Sequence, residues 1–464
     1  MASESTKYLV ERRESNHLSL NVPLIVGLSV GLRLIAALYL GNTVDVLPGI
    51  FDQVSYHALA LRVLGGHGFS FEHASWPMTA AGAPTAHWSF LYTLYLTAVY
   101  ALFGPNPLVA RIIQAVIVGV LHPWLAYLLG KRVFGERAGL LAAAFTAVYI
   151  YFIYYSAALM TEPFYITAIL GALYGLLWLR DVEPGRERRW ALAAGLALGV
   201  AVLLRQLFLL LIPFLLLWLW AVRYYDGRRA GAGRRGLKDL LFGQRAPWRS
   251  SAVIVGLVIL MILPFTVYNY GRFGRFVLLN TNAGFAFFWG NHPIYGTRFQ
   301  GILTPEMGSY QSLIPEELRG LDEPALEQAL MKRGLQFVVD DPGRYTLLSL
   351  SRVPVYFLFW PSAESGALSN ISRVGSFGLF LPLMLAGLIY SLANRKMRRR
   401  TFGNASLLLL FAVLYTVVHL LSWALVRYRL PVDAILLLYA GLAAEAVWVW
   451  LVSRRSPSLG SGGI

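Results

Sequence analysis

The side chains able to do chemistry in this chain sit beside long apolar runs. Asp52 lies in "GIFDQVSYHALALRVLGGHGFSFEH" (49–73), just after the first run, and Glu162 lies in the short turn "LMTEPF" (159–164). Arg205, Arg427 and Arg429 stand at helix ends, the last two in "RYRLPVD" (427–433). A carboxylate can take the proton of an attacking hydroxyl, and a guanidinium fork holds two phosphate oxygens at once. Acid and fork together are what group transfer from a phosphate ester needs. Free nucleotide is scarce outside a cell membrane, so the donor that fits is a lipid-linked phosphate ester in a pocket with one wall open to the bilayer.

Each of these residues also has a plainer use. Asp52 precedes a helix pattern, where Asp is a preferred N-cap. Glu162 stands before Pro163, which opens a helix, so it suits the positive end of the helix dipole. Paired carboxylates can also divide base and positioning work. Arg427 and Arg429 could anchor a helix end at the headgroups. Both readings stay open from the residues alone.

His57, His67, His73 and His87 all fall in the first loop, with spacings of 10, 6 and 14 residues that match no standard ligand pattern. Tyr56, His57 and His87 are candidates to hydrogen-bond a substrate. With no cysteine, disulfides, thiolate catalysis and Cys-based metal sites are excluded; a need for a divalent metal is left open. "GRFGRF" (271–276) follows no strand and does not read as a nucleotide loop. "NTNAGFAFFWGNHP" (280–293) mixes Asn with aromatics, which suits either stacking on a sugar or lipid, or a packed loop.

The elements that must position these residues are membrane helices. With 57% hydrophobic and 14% charged residues, the chain of 464 has too much apolar surface for a water-soluble globule. Apolar runs fall near 22–41, 88–103, 107–129, 138–157, 162–180, 190–206, 207–222, 250–270, 345–360, 375–393, 405–425 and 431–453. The net charge of +16 comes largely from short basic loops at 130–137, 181–189, 223–249 and 394–400. That is the positive-inside signature rather than a nucleic-acid footprint. If 88–103 and 345–360, both short for a bilayer core, do not cross, about ten spans place every basic loop and both termini in the cytoplasm. The polar start, Met1 to Leu20, shows no cleavable signal pattern.

The organisation expected is a transmembrane module 1–270 carrying the catalytic first outer loop 42–87, then an extracytoplasmic region 271–374 with interfacial helices. C-terminal transmembrane helices 375–453 and a disordered tail 454–464 follow. In the first loop, Tyr56, Leu59, Ala60, Val63 and Leu64 give one apolar face of a surface-lying helix stopped by Gly65-Gly66. In the second, Pro324 starts a helix with Leu326, Leu330 and Phe337 on one face.

"FDQVSYHALALRVLGGHGF", "LMTEPFYI", "VYNYGRFGRFVLLNTNAGFAFFWGNHPIYGT", "DDPGRYTLLSLSRVPVYFLFWP" and "VRYRLPVDAILLLYAG", in that order, resemble the GT-C class of integral-membrane glycosyltransferases. The nearest branches are the bacterial relatives of protein O-mannosyltransferases and of the lipid A aminoarabinose transferase. The resemblance runs from about 22 to 450. It implies an all-α polytopic bundle of about 10–12 transmembrane helices with two structured outer loops. It also implies a polyprenyl-phosphate sugar donor, an extracytoplasmic active site and inversion at the anomeric carbon. Asp52 matches the family's catalytic base, Glu162 its second acidic position, and "RYRLP" the turn that closes the donor pocket. "APTAHWSF" (83–90) departs from the Pro-Pro-rich stretch of many relatives and bears on the acceptor side.

The function expected is a hexosyl- or pentosyltransferase in the plasma (inner) membrane of a bacterium. Its acceptor would be a lipid, a glycan or a protein, and its other partners membrane lipids, with no nucleic acid. The rival readings are a secondary transporter, for which Arg33 and Glu445 are the main buried-looking charges, and a non-enzymatic membrane assembly protein.

Overall fold

Hydrocarbon offers no partner to a backbone N–H or C=O, so an apolar chain crosses a membrane as helices that satisfy their own backbone. A computed structural model describes residues 22–47, 50–183, 185–229, 247–363 and 365–455, and among them there are helices and only isolated β-bridges. The basic stretch 230–246, the N-terminal 1–21 and most of the tail, 456–464, lie outside the described residues.

Eight helices are long and apolar enough to cross: Val22–Leu40, Pro107–Val133, Glu162–Asp181, Gln206–Asp226, Trp248–Phe273, Ala367–Ala393, Thr401–Leu421 and Val426–Arg454. A ninth span is the pair Glu136–Val148 and Ile150–Ala157, bent by 52° at Tyr149. The 17-residue helix Arg188–Leu204 runs between the same two ends, with Glu187 paired to Arg223 at one and the Leu203 carbonyl bonded by Ser89 at the other. With eight helices long and apolar enough to cross, nine with the bent pair, among the described residues, the chain is an integral membrane protein, and the expected count of about ten is reached only if Arg188–Leu204 also crosses. Phe90–Phe103 and Pro342–Tyr356 are too short to join this set and lie at one end.

The bend at Tyr149 frees carbonyls inside the bundle, and a buried charge takes them. Arg33, with no exposed surface, donates to the carbonyls of Ala147 at 3.1 Å and Thr146 at 3.3 Å. Arg33 is thus a cap for a broken helix rather than a substrate charge. Small residues bring the spans into backbone contact, since lipid supplies no hydrophobic drive between them. A Cβ on Gly387 would stand 1.8 Å from the Tyr439 carbonyl oxygen, and one on Gly130 would stand 2.7 Å from the Gly139 Cα.

The two ends of the bundle differ in charge. At one, Arg132 pairs with Asp181 at 2.7 Å, Arg180 with Asp226 at 2.9 Å and with Asn404 at 2.5 Å, and Lys131 with Glu136. The other end gathers the loop 42–87, the turn at 158–162, Arg205, the region 274–366 and the turn at 422–429.

That second end is layered. Helix Ala283–Asn291 packs on Glu323–Asp340 through Phe285, Phe288, Leu326 and Leu330. Glu323 ties this layer to the first loop, accepting from Thr79 Oγ1 at 2.9 Å, the Ala86 amide at 2.7 Å and Thr281 Oγ1 at 2.6 Å. Burial raises its pKa against the pull of those donors. The first-loop helix Asp52–Leu64 packs on Phe90–Phe103 rather than lying free on a surface. Its buried face carries Gln53 with Tyr56, Leu59 and Ala60, while Leu64 turns outward, so a polar residue holds a position that the apolar pattern overlooks.

Candidate active site

Asp52 is the first residue of its helix, not its cap. The N-cap is Phe51, with no side-chain bond. The Asp52 carboxylate instead points across the site, where Oδ2 accepts from Arg427 Nη1 at 2.8 Å. Its neighbour fixes that aim. Gln53 is fully buried, donates to the Asp45 carbonyl, and accepts from Arg111 Nη2 at 3.4 Å and the Leu159 amide at 3.5 Å.

Glu162 opens the helix Glu162–Asp181, with Pro163 behind it, so its charge also faces the positive end of the dipole. Its Oε1 accepts from Arg205 Nη2 at 2.5 Å and stands 4.0 Å from Arg427 Nε. Arg205 sits in extended backbone between helix Arg188–Leu204 and the 3₁₀ turn Gln206–Leu210, and its Nε donates to Thr161 Oγ1 at 3.3 Å. The turn before Glu162 is pinned from below. Gln114 donates to the carbonyls of Ser156 at 2.8 Å and Ala158 at 2.7 Å, and Arg111 to that of Ala157 at 3.0 Å.

The outcome is a chain of alternating charge, Asp52–Arg427–Glu162–Arg205, drawn from four segments far apart in sequence. Both guanidiniums lie over the Tyr428 ring, each at 5.2 Å. The Asp52 side chain keeps a quarter of its surface exposed, whereas Glu162 keeps 2%. One carboxylate faces the open site and the other is sunk behind it. Among the described residues no three His, Asp or Glu side chains are grouped as a metal site would need.

Arg429 does not join this group. The turn Val426–Arg429 is 3₁₀, with three residues per revolution, so residues 427 and 429 point different ways. Arg429 is fully buried, pairs with Asp433 at 2.8 Å, donates to the Tyr356 carbonyl at 2.7 Å and lies on the Phe377 ring. Asp433 in turn accepts from Tyr149 at 2.7 Å. Arg429 is thus turned into the bundle, away from the charge chain, with Nε and Nη1 bonded and its buried Nη2 without a partner among the described residues.

Tyr56, one turn after Asp52, is buried edge-on to Trp88 and Tyr92; burial first and the Asp52 charge second raise its pKa. His57 faces away, its Nδ1 2.8 Å from the Tyr100 hydroxyl, and burial, followed by Arg111, lowers its pKa. It is not at the charge chain. His87 is near it: burial pushes its pKa down to about 4, with Asp52 opposing, and its buried Nδ1 has no partner among the described residues. The segment that carries His87 is clamped by the Asn-rich stretch. Asn280 Nδ2 donates to the carbonyls of Ala86 at 2.9 Å and Trp88 at 2.8 Å, and Asn282 Nδ2 to that of His87 at 3.3 Å. Most of "NTNAGFAFFWGNHP" is the helix Ala283–Asn291, whose Phe285, Phe288 and Trp289 pack in a core. The sequence reading missed Thr161, Tyr428 and the supports Gln53, Arg111 and Gln114. A polar residue set three from another in an apolar run, as Arg111 and Gln114 are, was the available signal.

Residues 87–228 match the family described as dolichyl-phosphate-mannose-protein mannosyltransferase, a stretch that holds Glu162 and Arg205 but neither Asp52 nor Arg427. No curated protein sequence matches the chain. Among solved structures, the oligosaccharyltransferase AglB from Archaeoglobus fulgidus, in complex with an inhibitory peptide and a dolichol-phosphate, aligns at a TM-score of 0.58. It is 20% identical, and the alignment covers 95% of this chain and 51% of that one. AglB tethered to an acceptor peptide aligns at 0.57, with 19% identity over 94% and 50%. ArnT from Cupriavidus metallidurans bound to undecaprenyl phosphate aligns at only 0.37, with 16% identity over 93% and 80%. The chain spans about half the length of the AglB structures. The fold is that of the GT-C class of membrane glycosyltransferases, which it shares with AglB.

Proposed function

We propose that the chain is a glycosyltransferase that moves a sugar from a polyprenyl-phosphate donor to an acceptor hydroxyl at the extracytoplasmic face. Asp52 takes the proton of the acceptor hydroxyl as its oxygen attacks the anomeric carbon. The new C–O bond forms opposite the old one, which breaks with its electron pair leaving on the phosphate. A single displacement of this kind inverts the anomeric carbon. The leaving group is a phosphate monoester stabilised by charge, so Arg427 and Arg205 stabilise it and no general acid is required. Glu162 holds the two arginines, and His87, whose buried Nδ1 has no partner among the described residues, and Tyr56 are the candidates to bond a substrate hydroxyl. Arg429 and His57 serve as supports.

The observation that carries this reading is the charge chain Asp52–Arg427–Glu162–Arg205, in which an exposed carboxylate meets a guanidinium at the loop end of the bundle. The matched family's donor, a dolichyl-phosphate sugar, and the dolichol-phosphate in the AglB complex agree with a lipid-phosphate donor. The basic residues at the opposite end support an extracytoplasmic site through the positive-inside rule. The test is Asp52→Asn, checked for expression and thermal stability and then assayed for transfer from polyprenyl-phosphate sugars. Loss of a positioned base lowers kcat by roughly 10²–10⁴. Near-normal turnover in a folded variant refutes the role.

A further inference from the structure

We infer that Asp52 and the donor phosphate compete for one guanidinium, that of Arg427, so the base is released to the acceptor only after the donor has bound. The inference rests on the reaction proposed above.

The two arginines of the site are not held alike. Arg205 is saturated on its inner side, bonded to Glu162 and Thr161 and lying over the rings of Tyr165 and Tyr428. Arg427 is not. Among the described residues its Nη1 is spent on Asp52, its Nη2 reaches only the Tyr428 hydroxyl at 3.5 Å, and its buried Nε has no hydrogen-bond partner, with Glu162 at 4.0 Å. A buried donor without a partner is costly, so this guanidinium is poised to gain from a second anion whose oxygens reach Nε and Nη2, which Asp52 leaves unused. The donor's phosphodiester, whose two free oxygens can span two N–H groups of the fork, is such an anion, and the phosphate monoester left after transfer, with more charge, is a stronger one.

The exchange has a direction. In the resting site Asp52 Oδ2 accepts from Arg427, and the ion pair holds the carboxylate's charge against the guanidinium. When phosphate draws Nη1 away, the carboxylate is freed, while Glu162, sunk behind the site, keeps the guanidinium from leaving. Donor first and acceptor second is then the binding order, and a hydroxyl that arrives without donor meets a carboxylate still paired to Arg427.

The experiment measures binding of undecaprenyl phosphate to the full-length protein in nanodiscs, with no acceptor present. Asparagine competes poorly for a guanidinium, so Asp52→Asn binds the lipid more tightly than wild type, by roughly three- to tenfold. Asp52→Ala gives the same gain and stands in if the Asn variant folds badly. Arg427→Ala removes most of the affinity, and adding Asp52→Asn to it restores nothing. If Asp52→Asn and Asp52→Ala bind as wild type does or more weakly, while Arg427→Ala still loses affinity, the competition is refuted and the donor site stands. If neither wild type nor Asp52→Asn binds the lipid phosphate, the donor reading falls with it. Inorganic phosphate serves as competitor. Displacement of the lipid only at wild-type-like excess in both proteins, with no shift in the Asp52→Asn variant, also refutes the competition.

Discussion

Arg429 and Asp433, one helical turn apart, form an ion pair with no exposed surface on either side chain, while Arg427, two residues earlier, reaches the open site. Two arginines of one short motif therefore have different surroundings, one inside the bundle and one at the charge chain. Removing one partner of a buried pair leaves an uncompensated charge, which costs about 3–5 kcal/mol. Arg429→Ala is expected to lower thermal stability and yield sharply while leaving the donor KM of the surviving enzyme unchanged. Arg427→Ala is expected to do the reverse: a loss of about 1.5–3 kcal/mol, tenfold or more, in donor affinity, with a modest effect on stability. Stability curves and donor titrations of the two variants, side by side, decide the assignment. A raised donor KM in a well-folded Arg429→Ala protein would return Arg429 to the phosphate site.

Glu162 separates positioning from chemistry. Its carboxylate bonds Arg205 and lies against Arg427 behind the exposed Asp52, so Glu162→Gln keeps the shape and loses the charge that aligns both forks. The expected result is a donor KM raised by about tenfold with kcat reduced less than in Asp52→Asn. If Glu162→Gln instead matches Asp52→Asn, with kcat collapsed and donor KM intact, Glu162 acts on the reacting groups directly.

The histidines set a pH expectation. His87, outside the spans, has a folded-state pKa of about 4 against 6.5 for an ordinary imidazole, because burial disfavours its charge. The unfolded chain therefore binds the proton first. The neutral burial of His87 costs nothing above pH 6.5 and destabilises progressively as pH falls from 6.5 towards 4, by on the order of 3 kcal/mol. His292 is lowered to about 4 by burial and by Arg344 and adds to the same slope. His87→Gln is expected to flatten part of the acid loss in a thermal-shift series from pH 7.5 to 4.5. An unchanged slope would mean that His87 is solvated in the folded protein.

How much of this was legible in the sequence follows from the range of each interaction. Spans are local: a run of apolar residues between basic loops is one helix, and even the two short runs, 88–103 and 345–360, were recognisable as non-crossing by length. Asp52, Glu162, Arg205 and Arg427 could be shortlisted because each is a charge at the rim of an apolar run. Their order in the cluster could not, since it depends on contacts spanning as many as 375 residues, the separation of Asp52 and Arg427. The same limit explains Arg429, whose partner lay four residues away in plain view as Asp433. The i,i+4 spacing was readable, and what was not was that the 3₁₀ turn would rotate Arg427 and Arg429 apart. Gln53 was invisible for a different reason: a polar residue buried to bind a carbonyl looks, in sequence, like one facing water.

The side of the membrane on which the site opens can be checked directly, because the chain has no cysteine to interfere. Ala74 is exposed in the first loop, and Arg186, with 78% of its side chain exposed, belongs to the basic end. Positive residues retained on the cytoplasmic side place Arg186 inside and Ala74 outside. The expected outcome is that Ala74→Cys reacts with a membrane-impermeant maleimide on intact cells, whereas Arg186→Cys reacts only after the membrane is opened. The two sites lie at opposite ends of one bundle, so each is the control for the other. Labelling of Arg186→Cys from outside, with Ala74→Cys protected, would invert the protein. The charge chain of Asp52, Arg427, Glu162 and Arg205 would then face the cytoplasm, and a cytoplasmic donor would have to replace the lipid carrier presented at the outer leaflet.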